Sequence, residues 1–231
     1  MNTLTSKKDY DVIVVGGGAA GLGVSIALTH AGIEDFIVLE RHTVGLSFAL
    51  WPAETRFITP SFPTNSIGML DLNSIAIGVS PAYSLEVEHP TGLEYAQHLQ
   101  GVARYFQLPI QENTEVKRVT KIGDDFVVDT TDDTLRAKHV IWAAGEFQYP
   151  RLKGFEGIEL CQHTATIPSY QKLEGDDFII VGGYESDLSS IAEAINLIKD
   201  SNRASKSLIK FLFVSFSYNI FIHFPFLFKY F

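Results

Sequence analysis

The sequence predicts an α/β fold with parallel strands at its centre, and three observations carry that expectation. Two short β-branched runs, at residues 10–15 and 178–181, each end in glycine and lead into a helical spacing. Between them, Val116, Val119, Phe126-Val127-Val128 and Leu135 read as a small antiparallel meander, turned at Gly123-Asp124-Asp125 and Asp132-Asp133. The composition, 46% hydrophobic and 19% charged, is that of a folded chain rather than a disordered one.

The 231 residues suffice for one large domain or for one and a half. The net charge is −9, and since Lys206, Lys210 and Lys229 meet no acid beyond residue 204, residues 1–204 carry −12. That balance excludes a nucleic-acid surface. Cys161 is the single cysteine, which rules out an intrachain disulfide, a CxxC redox pair and a cysteine zinc site. Residues 1–9 are polar, with Lys7 and Lys8, and show no signal-peptide cleavage pattern, so a cytoplasmic start is expected.

The first strand, Tyr10-Asp11-Val12-Ile13-Val14-Val15, runs into Gly16-Gly17-Gly18-Ala19-Ala20-Gly21. Leu22, Ile26 and Leu28 then keep a helical spacing that stops at Gly32, and Phe36-Ile37-Val38-Leu39 is a second strand. Glu40 closes it, 19 residues after Gly21. A dinucleotide-binding βαβ unit places its ribose acid at about that interval, roughly 20 residues on. Gly16 allows the tight turn, Gly18 lets the backbone approach a pyrophosphate, and Gly21 lets helix and strand pack closely. The helix N-terminus offers its N–H groups to the phosphates. A glycine loop of this kind says little alone; strand, helix and closing acid in order make it a nucleotide site.

From His42 to Pro90 the periodicity weakens, and Phe48, Trp51, Phe57 and Phe62 form an aromatic group expected to be exposed on a long functional loop. A helix returns between residues 91 and 106, on Leu93, Ala96, Leu99, Val102, Ala103 and Phe106. Ile110 and the meander follow. They feed Val140-Ile141-Trp142-Ala143-Ala144-Gly145, an apolar strand whose small terminal residues leave room for a ligand.

In order and type, the Gly16 loop, Glu40, Val116 and the strand end at Ile141-Trp142-Ala143-Ala144-Gly145 resemble the two-dinucleotide-binding flavoproteins. The nearest branch is that of the flavin-containing monooxygenases and CzcO-like flavoproteins, with thioredoxin-reductase-like relatives. Ala144 stands where that family has threonine, and Pro150 and Gly154 match its crossing into a second domain. The resemblance implies a Rossmann-type FAD-binding domain, with parallel sheet and antiparallel meander, over residues 1–150. It implies the start of a second, NADP-binding Rossmann domain over 151–204. FAD would be held by Gly16, Gly18, Ala19, Ala20, Gly21, Glu40, Arg41, Val116, Ala143, Ala144 and Gly145. Trp51 and Asn65 lie where the branch places a loop beside the isoalloxazine ring; plain loop packing is the alternative for both. NADPH would lie at Gly182, Gly183, Glu185 and Ser186, although Tyr184 and Asp187 depart from the family's small residues there.

The expected activity is that of an FAD-dependent, NAD(P)H-linked oxidoreductase, monooxygenase-like, acting on a small-molecule substrate and passing hydride from NADPH to FAD. Two alternatives stay open: a flavin-dependent reductase of a low-molecular-weight disulfide, and an inactive FAD-binding fragment. The resemblance stops near residue 200, and residues 205–231 are an atypical tail: eight of the chain's 17 Phe lie between Leu208 and Phe231, and no glycine follows Gly183. A truncated or out-of-frame end is expected, outside the flavin site. A membrane anchor is the alternative, but Lys210, Asn219, His223 and Pro225 interrupt it. No Ser/His/Asp constellation and no metal-ligand spacing is visible, and His98 and His163 are expected to be structural or solvated. The residues do not specify an oligomeric state.

Overall fold

A computed structural model describes residues 9–62, 71–145, 156–173, 177–181 and 209–213. The chain divides into two compact units, Met1–Pro150 and Arg151–Phe231.

The first unit is built on a six-stranded sheet in the order β3-β2-β1-β6-β5-β4. Its strands are β1 (Asp9–Val15), β2 (Phe36–Leu39), β3 (Ile110–Gln111), β4 (Val116–Ile122), β5 (Asp125–Thr130) and β6 (Thr134–Trp142). The β1–β2, β1–β6 and β2–β3 pairs are parallel, and β4–β5 and β5–β6 are antiparallel. The sheet therefore joins the parallel half and the meander through one strand. β6 is continuous, pairing β5 over its first half and β1 from Arg136 to Trp142, whereas the sequence pattern divided it between Leu135 and a separate strand from Val140. No turn residue separates the halves, because the strand changes its neighbour and not its direction.

β1 is buried on both faces, as a central parallel strand must be. Val12 and Val14 pack on one side with Phe36 and Val38 against Leu22 and Ile26 of α1 (Ala19–His30) and Leu99 and Val102 of α4 (Gly92–Tyr105). Ile13 and Val15 pack on the other side with Ile37, Leu39, Val128, Leu135 and Ala137. Each such buried aliphatic side chain contributes about 1.5–3 kcal/mol relative to exposure. α1 ends at Ala31, and Gly32, at φ +76°, closes it as expected: its N–H bonds Thr29 C=O while the Ile33 N–H reaches Leu28 C=O, the Schellman pattern.

α4 begins with a capping box in which Thr91 Oγ1 accepts from Glu94 N–H and the Glu94 carboxylate accepts from Thr91 N–H. Thr91 N–H and the Thr91 hydroxyl both donate to the Glu94 carboxylate and, with Arg56 nearby, hold it below its ordinary range. The buried face of α4 differs from the expected one. Leu93 is 57% exposed, while Tyr95 and His98 are buried beside Ala96 and Leu99. Between α2 (Leu46–Ala49) and α4, Phe57, Asn73 and Ser84 supply aromatic and polar partners to this face, so Tyr95 and His98 take places that a periodicity of aliphatic residues alone does not reveal. Pro81 and Ser80 start a further short helix, α3 (Pro81–Leu85).

The second unit holds a three-stranded sheet in the order β7-β9-β8, made of β7 (Cys161–His163), β8 (Asp177–Val181) and β9 (Ile209–Phe213). β9 pairs parallel to both neighbours, with Ile179 opposite Phe211. The expected second strand at 178–181 is present as β8. Residues 209–213, which the composition set apart as foreign tail, are here the middle strand of that sheet. Their alternation of Ile, Phe and Phe with Lys and Leu has the β propensity that a sheet uses. The remainder of the tail and the helix expected on Leu188, Ile191, Ala192 and Ile195 lie outside the described residues. Among the described residues, no helix is long and apolar enough to cross a membrane.

Candidate functional site

The parallel strands β1, β2 and β6 end together, at Val15, Leu39 and Trp142, and the candidate residues of the first unit gather around those ends. Gly16 leaves β1 at φ +111°, and its N–H still bonds Leu39 C=O at 2.9 Å. A Cβ on Gly16 would stand 2.4 Å from Ala143 C=O, and one on Gly21 would stand 1.9 Å from Gly16 C=O. Both positions are closed to any side chain, because the opposing atoms are backbone. Ala143 N–H reaches back to Val15 C=O at 2.8 Å, which locks the Ala143-Ala144 turn against the glycine loop, and Gly145 follows at φ +76°.

Gly18 is different. It is the N-cap of α1, a Cβ there would meet nothing within 4 Å, no side chain caps the helix, and no acid stands in its first turn. The first-turn N–H groups of Ala19 and Ala20 therefore face an open, electropositive position of the kind that receives phosphate.

Glu40 sits beside this opening. Its Oε2 accepts Gly17 N–H at 2.6 Å and its Oε1 accepts His42 N–H at 2.8 Å. A Cβ on Gly17 would stand 3.1 Å from the Glu40 side chain, so any larger residue there would push the carboxylate by a few tenths of an ångström. With two N–H groups accepted, the carboxylate keeps further lone pairs for hydroxyl donors. Its backbone is fixed as well, the N–H donating to Gln111 C=O at 2.9 Å and the C=O accepting from Thr114 N–H at 2.8 Å. The 111–115 stretch thus carries the chain from β3 to β4 past Glu40 and delivers Val116 to the start of β4, half-buried and opposite Thr130. Arg41 and His42 lie near Glu115, and together with its hydrogen bond from Lys117 they hold the Glu115 carboxyl below its ordinary range, Lys117 being the larger cause.

The structure thus brings Gly16, Gly18, Ala19, Ala20, Gly21, Glu40, Arg41, Ala143, Ala144 and Gly145 to one edge, with Val116 two residues from Thr114. Trp51 packs in an aromatic cluster, its ring 5.2 Å from those of Phe48 and Phe57, with Tyr95 4.9 Å from Phe48. Phe48, Trp51, Phe57 and Phe62 are half-buried rather than exposed, and α4 supplies the surface on which the first three pack. Asn65, Gly182, Gly183, Glu185 and Ser186 lie outside the described residues.

The sequence reading missed the polar core under the 52–90 segment. Asp71, buried, accepts Asn73 N–H at 2.9 Å and Ser80 Oγ at 2.5 Å. Asn73 Nδ2 donates to Thr59 C=O and to Ser61 Oγ, both at 2.8 Å, and Tyr95 Oη donates to Asn73 C=O at 2.7 Å. Burial, and then Asp71, pushes the Tyr95 phenol up to about 12. His98 is 5% exposed, shares a 2.6 Å hydrogen bond with Ser84 through Nδ1, and has no partner at Nε2 among the described residues. Burial pulls its pKa down against the opposing pull of Asp71, and so favours the neutral imidazole. In the second unit, His163 Nδ1 accepts Ala165 N–H at 3.0 Å, and burial lowers its pKa too. Cys161 is half-buried, its thiol pushed up by burial and by Glu159.

A family model described as pyridine nucleotide-disulphide oxidoreductase matches residues 13–206. The chain is 27% identical over 186 residues to the oxidoreductase CzcO of Bacillus velezensis, covering 77% of this chain and 49% of that protein. It is 30% identical over 155 residues to the Baeyer-Villiger monooxygenase ATR8 of Stachybotrys chlorohalonatus, over 65% of this chain and 24% of that one. Among solved structures, the bacillithiol disulfide reductase Bdr of Staphylococcus aureus superposes with a TM-score of 0.70 at 22% identity, over 89% of this chain and 57% of that one. The chain spans about half the length of the CzcO relative.

Proposed function

The chain belongs to the pyridine nucleotide-disulphide oxidoreductase family, and from that premise we propose that it binds FAD at the β1–α1 turn and works as an NAD(P)H-linked, monooxygenase-like oxidoreductase on a small molecule. One observation supports this reading above the rest. The turn is closed to side chains at Gly16 and Gly21, open at Gly18, and flanked by a carboxylate already oriented by two N–H groups. That is the donor set a dinucleotide needs: first-turn N–H groups for the pyrophosphate and an acceptor for ribose hydroxyls.

When bound, the flavin supplies hydride and electron transfer. The chain supplies position. Gly18, Ala19 and Ala20 would receive the phosphates, Glu40 would accept from the ribose with Arg41 next to it, Val116 would contribute from the start of β4, and Ala143-Ala144-Gly145 would leave space where the strand ends. Trp51 and Asn65 are assigned to the flavin side, and Gly182, Gly183, Glu185 and Ser186 to NADPH.

Absorbance spectroscopy of the purified chain tests the reading. Flavin bands that bleach on addition of NADPH and return in air are expected of the monooxygenase-like branch. Reoxidation only by an added low-molecular-weight disulfide would move the chain to the reductase branch; with Cys161 its single cysteine, no internal pair could serve. Flavin that NADPH fails to bleach would leave a binding fragment, and colourless protein that takes up no FAD would overturn the proposal.

A further inference from the structure

We infer that Glu112 and Gln100 are positioning residues of the nucleotide site, gripping the two sides of the Val44 peptide so that the segment carrying Glu40 stays against the glycine turn. The inference rests on the nucleotide-site reading above and extends it to two residues from other elements.

β2 ends at Leu39 and β3 at Gln111, so beyond those points no strand ladder holds the chain that follows Glu40. Side chains take over. The Glu112 carboxylate accepts Val44 N–H at 2.8 Å, across 68 residues of sequence, and Gln100 Nε2 donates to Val44 C=O at 3.1 Å from the middle of α4. Val44 is 4% exposed, so its peptide depends on these partners. Asn113 makes the reach of Glu112 compatible with the bonds on either side of it: at φ +56° it turns the chain so that its own N–H meets His42 C=O at 2.9 Å and the next, on Thr114, meets Glu40 C=O at 2.8 Å.

The grip transmits directly to the site. The next residue, Gly45, donates its N–H to Gly17 C=O at 3.2 Å, and at φ +75° it lies so close to α4 that a Cβ would stand 3.0 Å from Ala96 Cα. Glu40 accepts its two N–H groups from Gly17 and from His42. The 40–45 segment is therefore fixed at Glu40 by its neighbours and at Val44 by Glu112 and Gln100, and the carboxylate geometry depends on both ends. Releasing Val44 lets His42 drift and loosens the acceptor meant for ribose.

The test uses the full chain and FAD, with fluorescence titration for Kd and amide hydrogen exchange for the segment in the absence of FAD. Glu112→Ala is expected to weaken FAD roughly tenfold, the size of one lost charge-assisted bond. Glu112→Gln, which keeps an acceptor oxygen, should restore Kd to near the wild-type value. Gln100→Leu should weaken FAD in the same direction and by less. In Glu112→Ala, exchange should quicken at Gly17, His42 and Val44, while the amides of β1 and α1 stay protected. A purely structural role would lower the folded fraction and leave the Kd of folded protein unchanged, which would overturn the inference. So would unchanged exchange at Gly17 and His42 in Glu112→Ala, whether or not FAD binds. Wild-type chain that takes up no FAD would fail the functional reading itself, a separate outcome from these.

Discussion

In the turn after β1, backbone touches backbone. Gly21 would place a Cβ 1.9 Å from Gly16 C=O, and Gly16 would place one 2.4 Å from Ala143 C=O, so order there comes from exclusion. Among the described residues between Trp51 and Pro90 and on the facing α4, side chains do the holding: Ser61, Asp71, Asn73, Ser80 and Tyr95 share four hydrogen bonds below a cluster of half-buried rings. At Gly16 and Gly21 the first region tolerates no added atom, and the second tolerates no lost polar partner. A single substitution should therefore act by collision in one and by desolvation in the other, and this contrast can be tested.

The largest effect belongs to the turn. Gly21→Ala drives a methyl group into a carbonyl that cannot retreat without breaking the β1–α1 connection, and we expect a loss on the order of 4 kcal/mol or no folded protein, read by denaturant unfolding. A variant within about 1 kcal/mol of wild type would show that the turn adapts and that exclusion is not what orders it.

Next is the polar core. Asn73→Leu keeps the branching at Cγ and removes two N–H donors, leaving Thr59 C=O and Ser61 Oγ without their Asn73 bonds. The expected loss is about 2–3 kcal/mol with the turn unaffected. Loss of the turn's amide protection in the same variant would mean that the two regions are one cooperative element.

A smaller and pH-dependent effect comes from His98. Its folded pKa lies below the ordinary 6.5 because burial disfavours the imidazolium. The unfolded chain therefore binds the proton first as pH falls, so the stabilisation is whole above pH 6.5 and is lost from there down through the folded pKa. Melting temperature should fall over that interval, and the fall should shrink in His98→Gln. His163 adds a slope of the same sign in the second unit, so some dependence should survive the substitution. An unchanged slope in His98→Gln would show that His98 is not the group responsible.

The same contrast explains how much of the molecule the sequence discloses. The turn was legible because its sequence signals are local: a strand, three spaced glycines, a helix and an acid, each with one physical task, although the Ala143 carbonyl that closes Gly16 comes from far along the chain. Gly17 was passed over because its constraint is the side chain of Glu40, visible only once that side chain folds back. The Asp71–Asn73–Tyr95 core was not legible, since polar residues in a weakly periodic stretch look the same whether solvated or buried around α4. Glu112 was hidden for a similar reason, its partner lying 68 residues away. Leu93 and Tyr95 show the limit of periodicity: the spacing marks a helix correctly and still misplaces part of its buried face. Residues 209–213 show the limit of composition. A Phe-rich run reads as foreign until two strands lie on either side of it.

The central claim is that the open position at Gly18 is where a pyrophosphate lies. It is tested most directly by titrating FAD into wild type and Gly18→Val while following thermal unfolding of both without FAD. At Gly18 a new side chain meets nothing within 4 Å and φ is −84°, an ordinary value, so the variant should fold with a melting temperature close to that of wild type. Its side chain would fill the space over the first turn of α1, and FAD binding should be abolished. Gly18→Val protein that folds normally and binds FAD with wild-type affinity would contradict the account.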